Sequence, residues 1–267
     1  MATYLDRILA RHREVAAGDR RATVQLADQA RAWSVEHPAR GFARSLRDAA
    51  AADGGRLAVI SEIKRRSPSK GDLNADLDPA TMARRYEAGG ASCLSVLTDV
   101  EHFGGSVGDL QAARAACRLP VLRKDFTISA NDVCDARLMG ADCVLLIAAA
   151  LDAHELADFH ALAVEIGLDV LVEIHDEPEL EVALAAGATL VGVNQRDLVT
   201  FQVDHARALR MASIIPADVV RVAESGVRGA EDAAALAAAG YDAVLVGETL
   251  VTADDPSEAI RELRGLR

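Results

Sequence analysis

Aromatic side chains make up only 3% of the chain, so its core must be packed from alanine, valine, leucine and isoleucine. Cysteine is scarce too. Cys93, Cys117, Cys134 and Cys143 show no C-x-x-C spacing and lie in apolar or helical surroundings, so they read as reduced, structural thiols of a cytosolic protein. No apolar run approaches the roughly 20 residues that span a bilayer. The N-terminal Met1-Ala2-Thr3-Tyr4-Leu5-Asp6-Arg7 lacks the apolar segment of a signal peptide. The expectation is therefore a cytoplasmic chain without a membrane partner. A formal charge of −12 argues against nucleic acid as well. The histidines supply no metal set: His12, His37, His154, His160 and His205 fall in helices or connections, and His102 and His175 in separate loops. With no H-E-x-x-H or similar spacing, no metal is expected.

Lysine is the most informative shortage. Lys64, Lys70 and Lys124 are the only lysines among 29 basic residues. Against that preference for arginine, a retained lysine is worth suspecting, because arginine cannot exchange a proton near neutral pH. Lys70 also reads as a plain loop charge.

What is present is size and rhythm. The chain has 267 residues, 51% of them hydrophobic, which suits one α/β barrel or two smaller domains. Residues 1–56 carry helical periodicity, first through Tyr4, Leu5, Ile8, Leu9 and Val15, with Gly18 as a stop. A second helix is expected around Val24, Leu26, Ala27, Ala30 and Trp33, and a third around Phe42, Leu46 and Ala49. From Leu57 onward, short apolar runs alternate with helical segments. The runs are Leu57–Ile63, Ser92–Leu97, Val121–Leu122, Cys143–Ile147, Val170–Ile174, Leu190–Val193, Val219–Ala223 and Ala243–Val246. Glycine precedes several of them, as in Gly140-Ala141-Asp142 and Gly240-Tyr241-Asp242, supplying the left-handed residue that ends the previous helix. Asp78-Pro79, Glu177-Pro178 and Asp255-Pro256 mark helix starts. Eight β/α units in about 210 residues match a (β/α)8 TIM barrel. The alternative, an open doubly wound sheet, would need a dinucleotide fingerprint. Neither G-x-G-x-x-G nor a Walker A sequence opens any unit. The predicted organisation is one barrel domain over 1–267, of which 1–56 form an N-terminal helical extension.

In such barrels the chemistry sits at the carboxyl ends of the strands. The first delivers Glu62, Lys64 and Ser67, with Glu62 and Lys64 on one face by the period of two. The second brings Thr98, Asp99 and the loop Phe103-Gly104-Gly105-Ser106, and the third Arg123-Lys124-Asp125-Phe126. The fourth stays apolar through Leu145 and Ile147. Glu173 closes the fifth, followed by His175 and Asp176. Asn194-Gln195-Arg196-Asp197 follows the sixth, Glu224-Ser225-Gly226 the seventh, and Gly247-Glu248 the eighth. A single strand-end carboxylate is more often a structural partner than a catalyst. Two lysines and the carboxylates Glu62, Glu173 and Glu224 on one rim form a rarer pattern. Ser225-Gly226 and Gly247 are placed to aim backbone N–H groups at a phosphate. The Glu248 side chain is expected to point away while its N–H donates, and Lys64 and Ser67 could add phosphate contacts. That leaves Lys124 as the better candidate acid, with Asp125 as a prospective partner and a pKa lowered by desolvation amid cations. No Ser-His-Asp arrangement appears.

These residues resemble the indole-3-glycerol phosphate synthase family. The resemblance rests on Arg40-Gly41-Phe42, Glu62-Ile63-Lys64-Arg65-Arg66-Ser67-Pro68-Ser69, Leu97-Thr98-Asp99 and Phe103-Gly104-Gly105-Ser106. It continues through Arg123-Lys124-Asp125-Phe126, Val172-Glu173-Ile174-His175, Asn194, Arg196-Asp197-Leu198 and Glu224-Ser225-Gly226-Val227, in the family's order. It implies a cofactor-free carboxy-lyase of tryptophan biosynthesis acting on an anionic phosphosugar–anthranilate adduct, with no obligate protein partner evident. By the same resemblance Lys124 is the general acid and Glu173 the candidate base, oriented by Asn194. Glu62 and Lys64 would assist dehydration and hold substrate, Arg196 would meet the anthranilate carboxylate, and Phe103, Phe126, Leu145 and Leu198 would form an apolar wall. The extension and the loop after Lys64 would cover the mouth. Gln195 departs from a more usual asparagine, and Glu248 from the serine of some members. Two other readings stand beside it: a phosphate-binding barrel with Lys124 or Lys64 as a Schiff-base nucleophile, and a non-catalytic phosphosugar-binding barrel.

Overall fold

The computed structural model describes residues 4–52, 57–68, 70–197 and 202–266. Eight parallel strands close into a barrel: β1 Ala58–Ile63, β2 Cys93–Leu97, β3 Val121–Lys124, β4 Cys143–Ile147, β5 Asp169–Ile174, β6 Leu190–Asn194, β7 Val220–Glu224 and β8 Ala243–Val246. Each pairs with its sequence neighbour, and β1 closes the ring against β8 through Ala58↔Ala243 to Ser61↔Val246. The strands are buried almost throughout, as expected of a parallel sheet covered by helices. This is the expected TIM barrel, with strand limits within a residue or two of the apolar runs.

The helix ends follow the chemistry of the sequence. Asp78 caps the helix Pro79–Gly89 by accepting from the Thr81 N–H, and Gly90 ends it at φ 88°. Asp152 and Glu155 form a reciprocal capping box at the start of Ala153–Glu165. None of the described helices is long and apolar enough to cross a membrane. A two-stranded ribbon, Arg66–Ser67 with Gly71–Asp72, follows β1 and was not anticipated from the sequence.

The three extension helices, α1 Tyr4–Gly18, α2 Thr23–Glu36 and α3 Phe42–Ala52, contact the barrel at different places. Phe42 and Leu46 of α3 are fully buried among Ala58, Cys93, Cys143, Val220 and Ala243, at the amino-terminal ends of the strands. Small residues on the barrel floor leave the space, and one of the few phenylalanines fills it. Asp142 and Asp169 tie the plug down, accepting the backbone N–H of Arg40 at 2.9 Å and of Ala43 at 3.0 Å. The side of the barrel is held by α2, which packs against Ala130–Leu138. Tyr4, Leu5 and Ile8 of α1 reach the opposite, carboxyl end of the strands.

Arg137 is the hinge pin of this packing. Its side chain has no exposure, and it donates to Ser34 Oγ at 2.7 Å, to the Ala141 carbonyl at 3.2 Å and to the His37 carbonyl. Arg137→Met keeps the bulk but strands these acceptors, each costing about 1–3 kcal/mol when buried and unpaired. A lower urea midpoint, with faster amide exchange concentrated in α2, is the expected result. All four cysteines are buried and free.

Candidate active site

The carboxyl ends of the strands surround a cavity of about 590 Å³. Glu62, Lys64, Ser67, Phe103, Lys124, Phe126, Leu145, Glu173, Asn194, Arg196, Glu224, Ser225, Gly226, Gly247 and Glu248 all line it, so the sequence-predicted site residues converge. Leu198 lies outside the described residues.

Two ion pairs occupy the floor. Lys64 Nζ is 2.5 Å from Glu62 Oε1, and Lys124 Nζ is 3.2 Å from Glu173 Oε2. Asn194 donates to the other Glu173 oxygen at 3.0 Å, while its own oxygen accepts the Arg196 N–H at 3.0 Å. One amide thus fixes both the carboxylate and the turn leading to Arg196. Glu224 is the third carboxyl, 2% exposed, with Oε1 buried and without a hydrogen-bond partner. Burial first, and then the negative charge of Glu173, push it up to about 8.

Lys124 corrects an expectation. Burial by itself would lower its pKa, but Glu173, and then Glu224 and Glu62, outweigh burial and raise it. Its surroundings are anionic, not cationic. Asp125 is not its partner either: that carboxylate accepts from Thr98 Oγ1 and pairs with Arg123 at 3.1 Å. The period of two explains this, because residues 123 and 125 share the face opposite Lys124. Glu173 is held below the usual carboxylate range. Burial opposes that shift, but Lys124, then His175 and the Asn194 hydrogen bond, overcome it.

The loop glycines and Ser225 form the rim. Ser225 and Gly226 both adopt positive φ, 63° and 73°, and both border the cavity. Gln195, buried at 2% exposure, donates to the Ser225 carbonyl at 2.8 Å and so braces this loop from β6. The side chain at position 195 thus bears on the packing of this loop. Glu248 follows Gly247 in the last loop, and its side chain lies 3.6 Å from Lys70. A Cβ on Gly247 would fall 2.3 Å from Glu62 Oε1 and 3.1 Å from Lys64 Nζ, so glycine there lets the eighth strand close over the first ion pair.

Sequence reasoning missed a trio at the mouth. His12 of α1 and His102 both lie 3.2 Å from Asp99 Oδ2, and ligand atoms of His12, Asp99 and Asp125 fall within 4.8 Å of one another. The carboxylates already accept from Thr98, Arg123 and backbone N–H groups, and the Arg123 guanidinium opposes a second cation there. The contact joins residues 87 apart in sequence, so no local spacing could have signalled it.

The family model for indole-3-glycerol phosphate synthase matches residues 5–263. The chain belongs to the indole-3-glycerol phosphate synthase family. It is 53% identical over 224 residues to the indole-3-glycerol phosphate synthase of Paenarthrobacter aurescens, covering 82% of each chain. With indole-3-glycerol phosphate synthase 2 of Streptomyces coelicolor it shares 49% over 252 residues, 94% of this chain and 95% of the other. The 3-hexulose-6-phosphate synthase of Salmonella typhimurium superposes with a TM-score of 0.62 at 14% identity, covering 78% of this chain and 97% of that one. A thiamine phosphate pyrophosphorylase from Pyrococcus furiosus gives 0.59 at 16%, over 80% and 96%. At such identity these two share the barrel fold alone.

Proposed function

We propose that this chain converts 1-(2-carboxyphenylamino)-1-deoxyribulose 5-phosphate to indole-3-glycerol phosphate, CO2 and water, with the Lys124–Glu173 pair as its acid–base centre. Family membership supplies the reaction, and the pair at 3.2 Å on the cavity floor is the observation that carries the assignment of roles. The aromatic carbon bearing the carboxylate attacks the sugar carbonyl carbon. Lys124 protonates the carbonyl oxygen as that bond forms. The carboxylate leaves as CO2, and its electron pair restores the aromatic ring. Loss of the new hydroxyl as water then needs an acid at the oxygen and a base for the departing proton, and Glu173, held by Asn194, is the base. Glu62 and Lys64 assist the dehydration. Ser225, Gly226 and Gly247 cradle the phosphate with Ser67 and the N–H of Glu248, Arg196 meets the anthranilate carboxylate, and Phe103, Phe126 and Leu145 bound the ring.

The Schiff-base alternative for Lys124 is disfavoured. An ammonium whose pKa is raised by Glu173 has no free lone pair with which to attack a carbonyl. A cytoplasmic enzyme acting on a small anionic substrate, without cofactor, completes the proposal. A cofactor-free assay following indole fluorescence tests it. Turnover by the native chain, with no borohydride-trapped adduct, is expected. Folded protein that makes no indole would sink the activity, and a trapped adduct would sink the acid role of Lys124.

A further inference from the structure

We propose that His205 is a further binding residue for the substrate phosphate, its imidazole extending the cradle of Ser225, Gly226 and Gly247. The inference rests on the phosphate-binding reading given above. It starts from a shortage of free counter-charge. A phosphate monoester carries about −1.5 to −2 charges at neutral pH, so its site needs cations as well as N–H donors. Four of the cationic side chains that line the cavity already face a carboxylate. Lys64 lies 2.5 Å from Glu62, Lys70 3.6 Å from Glu248, Lys124 3.2 Å from Glu173 and Arg228 3.1 Å from Asp232. Arg196 is assigned to the anthranilate carboxylate. His205 lines the same cavity and is exposed, and its ring makes no hydrogen bond or ion pair among the described residues. It can meet an anion without giving up another partner.

The fold holds this ring beside the cradle. Beyond β6 the chain runs outward and comes back antiparallel to itself, with Arg196 bridged to Val203. The Asp204 N–H donates to the Gln195 carbonyl at 2.8 Å, while the Gln195 side chain donates to the Ser225 carbonyl at 2.8 Å. One residue thus anchors both the approach to His205 and the cradle loop. Asp204 caps the helix His205–Ala212 by accepting the Ala206 N–H at 3.0 Å. Arg207 ties the start of that helix to β6, donating to the Asn194 carbonyl at 3.0 Å. A Cβ added at Gly226 would lie 2.5 Å from Val203 Cγ1, 3.0 Å from His205 Cε1 and 3.4 Å from its Nδ1. The imidazole therefore packs where a side chain at position 226 would stand, and glycine there serves space as well as its positive φ. In either tautomer the ring offers one N–H, and when protonated two together with a positive charge. Asp232 of the helix Ala230–Ala238 is within electrostatic reach of His205. Its carboxylate is occupied by Arg228, whose backbone N–H and Nε donate to it at 2.9 and 3.1 Å.

A contact to the phosphate, far from the reacting bonds, is made equally in the ground and transition states and so belongs in KM. His205→Ala should raise KM about three- to tenfold with kcat little changed. Competitive inhibition by inorganic phosphate should weaken by the same factor. His205→Lys puts a cation back at this place and should recover most of the loss. The dephosphorylated substrate, used as a competitive inhibitor, should bind native protein and His205→Ala alike, which a general disturbance of the site would not give. Titration of native protein with inorganic phosphate, followed by NMR, is a readout independent of turnover. The His205 ring resonances should shift together with the Ser225 and Gly226 amides and saturate at the same concentration. A native KM in folded His205→Ala, or a ring that stays silent while those amides shift, overturns the inference. Silence of all three would overturn the cradle and the inference with it. Absence of indole formation by the native chain would overturn the reaction alone, and the phosphate titration would still decide the part of His205.

Discussion

Lys124→Met is expected to lower kcat by about 10²- to 10⁴-fold, the usual contribution of a positioned general acid, while the chain stays folded. Methionine approximates the length of the lysine stem and keeps its packing, so the lost element is the ammonium. Two consequences separate this from a general disturbance of the site. Glu173 loses the cation that chiefly holds it ionised, so its carboxyl should take up a proton at higher pH than in the native chain. That uptake relieves the buried uncompensated charge, which would otherwise cost about 3–5 kcal/mol, so thermal stability should fall only modestly. Substrate affinity should hold, because the proposed phosphate cradle and Arg196 are untouched. Steady-state kinetics beside circular dichroism and a melting curve check all three points. A folded variant with near-native kcat would remove Lys124 from the chemistry.

The barrel was legible because burial on both faces writes each parallel strand as an apolar run, and because the helices before them end at glycine. The site was legible for the opposite reason: Glu62, Lys124, Glu173 and Glu224 are titratable residues at the ends of those runs, where packing alone would select none of them. Partnerships were harder. Asp125 is adjacent to Lys124 in sequence, and adjacency suggested a pair that strand periodicity forbids. The true partner, Glu173, lies 49 residues away, and only closure of the sheet brings β3 and β5 to a common interior. The clasp of His12 on Asp99 was invisible for the same reason. Phe103-Gly104-Gly105-Ser106, read as a strand-end loop, is largely turn chemistry. Gly104 ends a short helix at φ 65°, Ser106 caps the next, and a Cβ on Gly105 would lie 2.1 Å from the Leu97 carbonyl. Gly192 had a signal that went unused: an isolated glycine within Leu190-Val191-Gly192-Val193 marks a close approach by something else.

What approaches Gly192 is the carboxyl of Glu224. A Cβ added at Gly192 would sit 2.0 Å from Glu224 Oε1, 3.0 Å from its Cδ and 3.3 Å from Leu171 Cδ1. The strand backbone is ordinary at this position, so the need for glycine comes from space and not from φ. In Gly192→Ala the carboxyl has to swing away, and Glu173, Lys124 and the cavity occupy the ground around it. Displacement by about 1 Å at such a centre costs on the order of 10²-fold in kcat, and that is the expected loss. Stability should change little, since the group that yields is the end of a side chain bordering a cavity. A double-mutant cycle with Glu224→Ala makes the cause visible. If the methyl group acts through Glu224, adding Gly192→Ala to the truncated background should cost almost nothing further, because the clashing oxygen is gone. Equal costs in both backgrounds would place the damage in β6 itself and leave Glu224 without a part in the chemistry of the floor.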